Sequence, residues 1–316
     1  MKKNYNILSK TKYTYVFSIT LTFLSIVSLF LWGLKFGIDF TGGTVMKIQF
    51  AHGVPSGQEI ADALKSQHLN SLTVQGTGSD SAQISYASVS DSINQDVWKD
   101  INAKYPGSVQ LQVDYRDSSV SGELRKNSLW ALFWAAVGIM MFIAWAFRKV
   151  SRPVESWKYG AGAVIALIHD VLITTGIFSV LGHFAGVEVG IPFVAALLTI
   201  LGFSVHDTIV VYDRTRENLL KSSSKEAFPE VVNRSLNETL VRSINTSLTV
   251  IITLLSIFIF GGDSIKDFAL ALLIGVTFGT YSSIFVASAL LVTSYNWQSK
   301  GVKIVDIFKG YKLKSK

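Results

Sequence analysis

The chain has 316 residues, of which 49% are hydrophobic and only 16% charged, and its mean hydropathy is +0.38. Soluble proteins carry about 25% charged residues, so this composition indicates a membrane protein. The absence of cysteine excludes disulfides, thiolate metal ligands and a cysteine nucleophile. The net charge of +7 lies in short basic segments between apolar stretches, and it therefore does not indicate nucleic-acid binding.

Six segments are long and apolar enough to cross a membrane, since about 20 helical residues span a hydrocarbon core of about 30 Å. The predicted spans are residues 15–34, 129–147, 160–181, 189–212, 244–260 and 268–293. The first span follows four lysines, as in a signal peptide, but it is too long and no small-residue cleavage site follows it. We therefore expect it to be an uncleaved anchor.

Residues 35–128 form a long hydrophilic insert between the first and second spans. Their patterns predict strands at 44–50, 71–75, 82–87 and 109–115, and helices at 56–67 and 90–105. Ser56 and Glu59 have the spacing of a capping box at the start of the first of these helices. The order strand-helix-strand-strand-helix-strand predicts a small ferredoxin-like α+β domain. We interpret Gly42 and Gly43 as a sharp exit from the first span into the first strand.

The short loops differ strongly in their content of lysine and arginine. Residues 1–14 contain four, 148–158 four, 213–242 six and 294–316 six, whereas 182–188 contain none and 261–267 one. The positive-inside rule then places both termini in the cytoplasm. The same rule predicts a cytoplasmic loop at 213–243, a basic cytoplasmic tail at 294–316 and a periplasmic domain at 35–128.

Five charged or titratable residues in the spans are candidate functional residues, because a charge at the centre of a membrane helix costs about 2.5–3.5 kcal/mol. His169 and Asp170 lie near the middle of the third span, and His206 and Asp207 near the cytoplasmic end of the fourth. Arg242 begins the fifth span, and its side chain is long enough to reach Asp207 if the two helices are neighbours. Packing, hydrogen bonding between helices and anchoring at the membrane surface remain alternative roles for these residues.

Four motifs, in order along the chain, resemble those of the SecF family, the smaller partner in the bacterial SecD/SecF protein-export complex. They are FGIDFTGGT at 36–44, ALIHDVLIT at 166–174, the stretch from Gly202 through Asp213 and Arg214 to Asn218, and IFGG at 259–262. The six-helix plan, the long first external loop and the chain length also match. The resemblance therefore covers nearly the whole chain, and the family is similar to half of a resistance-nodulation-division transporter.

The resemblance implies an accessory subunit of the Sec translocase in the bacterial inner membrane, without enzymatic activity or a cofactor. It implies that SecD, the SecYEG channel, preproteins in transit and other insertion factors are partners, and that the proton motive force promotes export. The family's proton path corresponds to Asp207 and Arg242 here, and we add His206, Asp170 and His169 as candidate relay residues. His206 departs from the family, in which this position is commonly asparagine.

Two other functions stay open at this point. The first is an intramembrane aspartyl protease built on Asp170 and Asp207, or on Tyr212 and Asp213. It is weakened by the different depths of the first two aspartates and by the absence of a Gly-x-Gly-Asp stretch. The second is half of a small-molecule proton antiporter, since such transporters usually have twelve helices. The coupling ion, H⁺ or Na⁺, also stays open.

Overall fold

The computed structural model describes residues 5–77, 79–116, 118–148, 154–221 and 226–300. The remaining parts of the predicted basic N-terminus, of the loops at 148–158 and 213–243, and of the basic tail lie outside the described residues. Among the described residues, six helical segments are long and apolar enough to cross a membrane, and this confirms the predicted number of spans.

The helices are numbered in chain order, and three of them, α2, α3 and α4, belong to the insert between the first two spans. They are α1 Thr11–Leu31, α2 Ile38–Thr41, α3 Gly57–Ala63, α4 Asp91–Lys104, α5 Ser118–Ala146, α6 Ser156–Ala185, α7 Ile191–Lys221, α8 Phe228–Phe260, α9 Asp263–Ser282 and α10 Ser288–Lys300. A π-helical turn, Ser283–Ala287, joins α9 to α10, so that the two form one continuous span.

Three spanning helices extend well beyond the predicted apolar windows. α5 begins at Ser118 rather than at residue 129, α7 ends at Lys221 rather than at 212, and α8 begins at Phe228 rather than at 244. A hydropathy window detects only the apolar part of a helix, whereas polar turns outside it are held by ion pairs between residues three or four apart. Glu217 makes such pairs with Arg214 and Lys221 in α7. Most of the described part of the predicted loop at 213–243 is therefore helical.

The insert folds as the predicted ferredoxin-like domain. Its strands are β1 Gly43–Gln49, β2 Thr73–Gly76, β3 Ser81–Tyr86 and β4 Val109–Arg116. They form an antiparallel sheet in the order β2-β3-β1-β4, with α3 and α4 packed on its apolar face. Side chains alternate along β1, so that Met46 and Ile48 are buried and Gln49 is exposed. The capping box of Ser56 and Glu59 is also confirmed.

Gly42 and Gly43 occupy a different place from the one predicted. α1 ends at Leu31, and the glycine pair follows the short helix α2 instead of α1 itself. Both residues have positive φ angles, +74° and +147°, which disfavour any residue with a side chain. A Cβ atom at position 43 would also overlap the carbonyl oxygen of Tyr86. The pair therefore turns the chain from α2 into β1 and permits close approach to β3.

Residues 35–39, which precede β1, are joined by several hydrogen bonds to residues 189–191 at the start of α7. The N–H of Gly37 donates to the carbonyl of Val189 at 2.9 Å, and the N–H of Val189 donates to the carbonyl of Lys35 at 2.8 Å. The Asp39 carboxylate accepts a hydrogen bond of 3.1 Å from the N–H of Ile191, the first residue of α7. A Cβ atom at Gly190 would lie 2.7 Å from that carboxylate oxygen, so glycine is required for this approach.

The centre of the bundle consists of α6, α7 and α9, whereas most residues of α1, α5 and α8 face outward. Small residues allow the central helices to approach closely. A Cβ atom at Gly275 of α9 would overlap the side chain of Ile200 in α7, and one at Gly279 would lie 3.0 Å from Cβ of Ser204. The glycine pair of the last span thus packs α9 against α7.

Candidate functional site

Asp170 lies in the centre of the bundle, where α6, α7 and α9 meet. Its side chain is fully buried, and its Oδ2 accepts hydrogen bonds of 2.7 Å from the hydroxyls of Ser204 and Ser282. Its Oδ1 is 2.9 Å from Nδ1 of His169. Both oxygens of this carboxylate therefore have hydrogen-bond partners, and these partners lie on α6, α7 and α9.

His169 is nearly buried beside Asp170, with 7% of its surface exposed. Its Nε2 has no hydrogen-bond partner among the residues that the structure describes. The ring of Tyr281 in α9 lies 6.4 Å away, centroid to centroid. The contact between His169 and Asp170 therefore places an imidazole and a carboxylate, two groups able to exchange a proton, within hydrogen-bond distance of each other.

Further hydroxyl groups join α7 to the π-helical turn that follows Ser282. The hydroxyls of Ser283 and Thr208 are 2.8 Å apart, and the Ser283 hydroxyl donates to the carbonyl of Ser204 at 3.1 Å. The Tyr212 hydroxyl donates to the carbonyl of Ala287, the last residue of the turn, at 3.1 Å. π-helical turns are rare and are often found at functional sites. The sequence analysis missed the hydroxyls of Ser282, Ser283 and Thr208, although two adjacent serines in an apolar span were a visible signal.

Asp207 is also buried, with 3% of its surface exposed, but it is held less firmly than Asp170. Its Oδ2 is 3.4 Å from the Ser247 hydroxyl on α8, which is near the limit for a hydrogen bond. That hydroxyl also donates to the carbonyl of Ser243 at 2.8 Å and accepts from the Thr280 hydroxyl at 2.6 Å. Asp207 therefore lies at the contact of α7, α8 and α9 with one long hydrogen bond from a shared hydroxyl.

His206 and Arg242 do not contact Asp207 in this structure. Both side chains are exposed on the surface of the bundle. α8 is a neighbour of α7, as the prediction of an Asp207–Arg242 contact requires, but Ser247 rather than Arg242 reaches the carboxylate. Among the described residues, Arg242 forms no ion pair, and it lines a cavity of about 680 Å³ between the ends of α5, α7 and α8 that lie away from the α+β domain.

An ion-pair network links α7 to α8 at that end of the bundle, opposite the external domain. Arg214 of α7 contacts two carboxylates, with Nε 2.5 Å from Glu238 and Nη1 2.5 Å from Glu217. Asn218 of α7 donates to the same Glu238 oxygen at 2.8 Å and to the Ser235 hydroxyl at 3.0 Å. Arg214 and Asn218, which belong to the sequence motif at 202–218, thus hold the side chain of Glu238 on α8.

The arrangement does not favour a protease site. Asp170 and Asp207 bond to separate sets of side chains, and Asp213 is exposed and faces Arg216 at 3.7 Å. In the part of the chain that the structure describes, no three histidine or carboxylate side chains group as metal ligands do. A membrane bundle with two separately bonded carboxylates in its interior and an α+β domain at one end is instead typical of a transport subunit.

Comparisons with known proteins agree with this class. A family model described as "Protein export membrane protein SecD/SecF, C-terminal" matches residues 96–297, and one for the SecD/SecF GG motif matches residues 27–54. The protein translocase subunit SecF of Thermobaculum terrenum is 44% identical over 300 residues, covering 90% of this chain and 92% of the relative. The SecF of Sebaldella termitidis is 36% identical and covers 90% of both chains.

Solved structures give the same result. The crystal structure of SecDF, a translocon-associated membrane protein from Thermus thermophilus, has a TM-score of 0.80 and 31% identity over 94% of this chain. The present chain spans only 39% of that longer SecDF chain. The chain therefore belongs to the SecD/SecF family of protein-export membrane proteins, in its SecF branch. It is a multi-pass membrane protein, and its relatives support neither a protease nor an antiporter.

Proposed function

We propose that this chain is an accessory subunit of the Sec translocase that works with SecD and uses the proton motive force to promote preprotein export through SecYEG. The names of its relatives support the role in translocation. The observation that carries the coupling mechanism is Asp207, a buried carboxylate with one long hydrogen bond. The partners SecYEG and preprotein follow from the family, as do further contacts with inner-membrane insertion factors.

Asp207 is the proton-binding residue in this proposal. No lysine or arginine among the described residues contacts this carboxylate, whose partner is one shared hydroxyl, so its charge depends on what approaches during the cycle. Arg242 is the group on the adjacent helix that can supply this charge, and the cavity that it lines at the inner ends of α5, α7 and α8 gives its side chain room to change position. Approach of Arg242 favours the ionised form of Asp207, and its withdrawal favours the protonated form.

Asp170 and His169 form a second candidate relay position in the proposal. The Asp170 carboxylate accepts hydrogen bonds from hydroxyls of both α7 and α9, the helices that also carry Asp207 and Thr280, and the His169 imidazole contacts that carboxylate. Movement of α9 relative to α7 would change the partners of both carboxylates together. Asp170 is the more firmly held of the two, and we assign it the role of a fixed site rather than a switching one.

The exposed side chain of His206 points to a neighbouring chain. An imidazole facing lipid in the middle of a membrane helix is costly, whereas one facing a partner subunit can form hydrogen bonds. Thr199 and Gly202 are exposed on the same side of α7 and would allow close packing there. The related SecDF chain is much longer than this one. We propose that SecD covers this surface of α7.

The test of the relay is export into membrane vesicles driven by an imposed proton gradient. Asp207→Asn keeps the shape of the side chain and removes its titration, so we expect proton-driven export to be lost while the complex still assembles. Asp207→Glu should retain part of the rate, and Arg242→Lys should lower it because the planar fork of arginine is lost. Asp96→Asn, the same chemical change on an exposed helix of the external domain, is the matched control.

Wild-type export by Asp207→Asn would overturn the relay. Replacing the proton gradient by a sodium gradient in the same vesicles identifies the coupling ion, and export driven by sodium alone would contradict the choice of H⁺.

The proposed orientation places both termini in the cytoplasm and the external domain in the periplasm. Because the chain has no native cysteine, single cysteines at positions 80 and 310 give a direct test with an impermeant thiol reagent. We expect labelling from outside at position 80 and none at position 310. Labelling at position 310 and none at position 80 would show the opposite orientation in the membrane.

A further inference from the structure

Glu238 and Arg242 are one helical turn apart on α8, and both line the cavity at the inner ends of α5, α7 and α8. A glutamate four residues before an arginine is the favourable order for an ion pair on a helix. Local spacing alone therefore predicts that Glu238 neutralises Arg242. An Arg242 paired in this way would be unavailable to Asp207.

The structure shows that Glu238 has other partners. One of its carboxylate oxygens contacts Arg214 Nε at 2.5 Å and accepts a hydrogen bond of 2.8 Å from Asn218. Asn218 is 5% exposed and is itself held by the Ser235 hydroxyl, which is fully buried. Two donors from α7 thus occupy Glu238, and Arg242 forms no ion pair among the described residues.

We propose that Arg214 and Asn218 are positioning residues that hold Glu238 away from Arg242 and so keep Arg242 available to Asp207. This inference rests on the proposed relay. Arg214 suits the task because its planar fork contacts Glu217 and Glu238 at once, which fixes its direction. Three acidic side chains line the cavity beside Arg242, and each has a partner on α7: Glu217 and Glu238 contact Arg214, and Asp213 contacts Arg216. Asp207 lies deeper in the bundle, at the level of Ser247.

The test is a charge-competition series in the proton-driven export assay. Arg214→Gln removes the charged one of the two donors that hold Glu238, so that Glu238 is drawn to Arg242, and we expect a several-fold lower export rate. Glu238→Gln added to Arg214→Gln removes the competitor and should restore most of that rate. Lys99→Gln, which removes one positive charge from an exposed side chain of α4 far from this cavity, is the control and should leave export unchanged.

A purely structural role gives a different pattern. If the network only tied α7 to α8, Glu238→Gln would be as harmful as Arg214→Gln, and the double variant would be no better than either. The amount of monodisperse protein in detergent, measured for each variant, separates misfolding from loss of coupling. Failure of the double variant to exceed Arg214→Gln, with equal amounts of folded protein, would overturn the proposal.

Asp207→Asn measured beside these variants separates the two hypotheses. Wild-type export by Asp207→Asn removes the relay itself, whatever Arg214→Gln does. Loss of export in Asp207→Asn together with normal export in Arg214→Gln removes only the positioning role of Arg214 and Asn218.

Discussion

The core of the external domain is almost entirely apolar, whereas the centre of the membrane bundle buries a carboxylate and several hydroxyls among its apolar side chains. The core of the domain is made of Met46, Ile48, Ile84 and similar apolar residues, all fully buried. The space between α6, α7 and α9 contains Asp170, with Ser204 and Ser282 bonded to it. The outer surface of the bundle, unlike that of the domain, carries large apolar side chains: Phe30 and Phe260 are 89% and 86% exposed.

The difference follows from the surrounding solvent. Water around the domain makes apolar burial worth about 25 cal/mol per Å². Lipid around the bundle removes most of that driving force between helices, so close packing at small residues and hydrogen bonds between helices hold the bundle together. A polar interior therefore costs the bundle less than it would cost the domain, and ionisable residues can be placed there for function.

The largest expected loss of stability comes from creating a cavity in the core of the domain. Ile84→Ala deletes buried methyl groups from the central strand β3, and substitutions of this kind cost about 2–5 kcal/mol. We expect residues 40–125 to unfold cooperatively as an isolated fragment, and urea unfolding of that fragment measures the loss. Ile252→Ala on α8 removes the same groups from a side chain that is 55% exposed, and it should barely change the thermal stability of the whole protein in detergent. Comparable losses in both would contradict the contrast.

A smaller effect is expected where the bundle depends on a small residue. Gly275→Ala places a Cβ atom against Ile200, and overpacking of this kind costs about 1–3 kcal/mol. Gly138→Ala on α5 is the control, because nothing lies within 4 Å of the added atom. Alanine favours helices over glycine, so the control should not lose stability. Thermal unfolding in detergent compares the two, and equal midpoints would show that α7 and α9 do not depend on close approach at Gly275.

Much of the fold could be predicted from the sequence because its signals are local. Apolar runs located the six spans, and alternating patterns located the strands of the domain. The beginnings of α5 and α8 and the end of α7 could not be predicted in this way. The turns that extend beyond the apolar windows are polar, and ion pairs such as Arg214–Glu217 hold them. A hydropathy window detects the part of a helix that lies in the hydrocarbon core, not the whole length of the helix.

The site was predictable in part for the same reason. Asp170 and Asp207 stand out as charges in apolar segments, whereas their partners Ser282 and Ser247 do not, because serine is common in membrane helices. Which serine faces a carboxylate depends on how the helices pack, and one sequence does not contain that information. The partner of Glu238 was likewise set by α7 across the interface and not by Arg242 on its own helix.

The smallest expected effect concerns the capping box of the external domain and depends on pH. The backbone N–H of Ser56 donates to Glu59 at 2.8 Å and its hydroxyl at 2.9 Å. These bonds favour the ionised form and lower the pKa of Glu59 below its ordinary value of 4.5. Because the pKa is lower in the folded state, the stabilisation is present above pH 4.5 and is lost as the pH falls through the folded-state pKa.

Glu59→Gln should therefore lower the stability of the 40–125 fragment slightly at neutral pH and have less effect in acid. Urea unfolding of both fragments over a pH series measures the difference between them, which cancels the contribution of other carboxylates such as Asp80. Asp62→Asn, on the same helix but outside the capping box, is the control for removing one negative charge. The difference between wild type and Glu59→Gln should shrink below pH 4.5, since a protonated glutamate and a glutamine are then alike in charge. A difference that stayed constant from neutral pH to acid would show that charge on Glu59 adds nothing to this cap, and that Ser56 alone holds the first turn of α3.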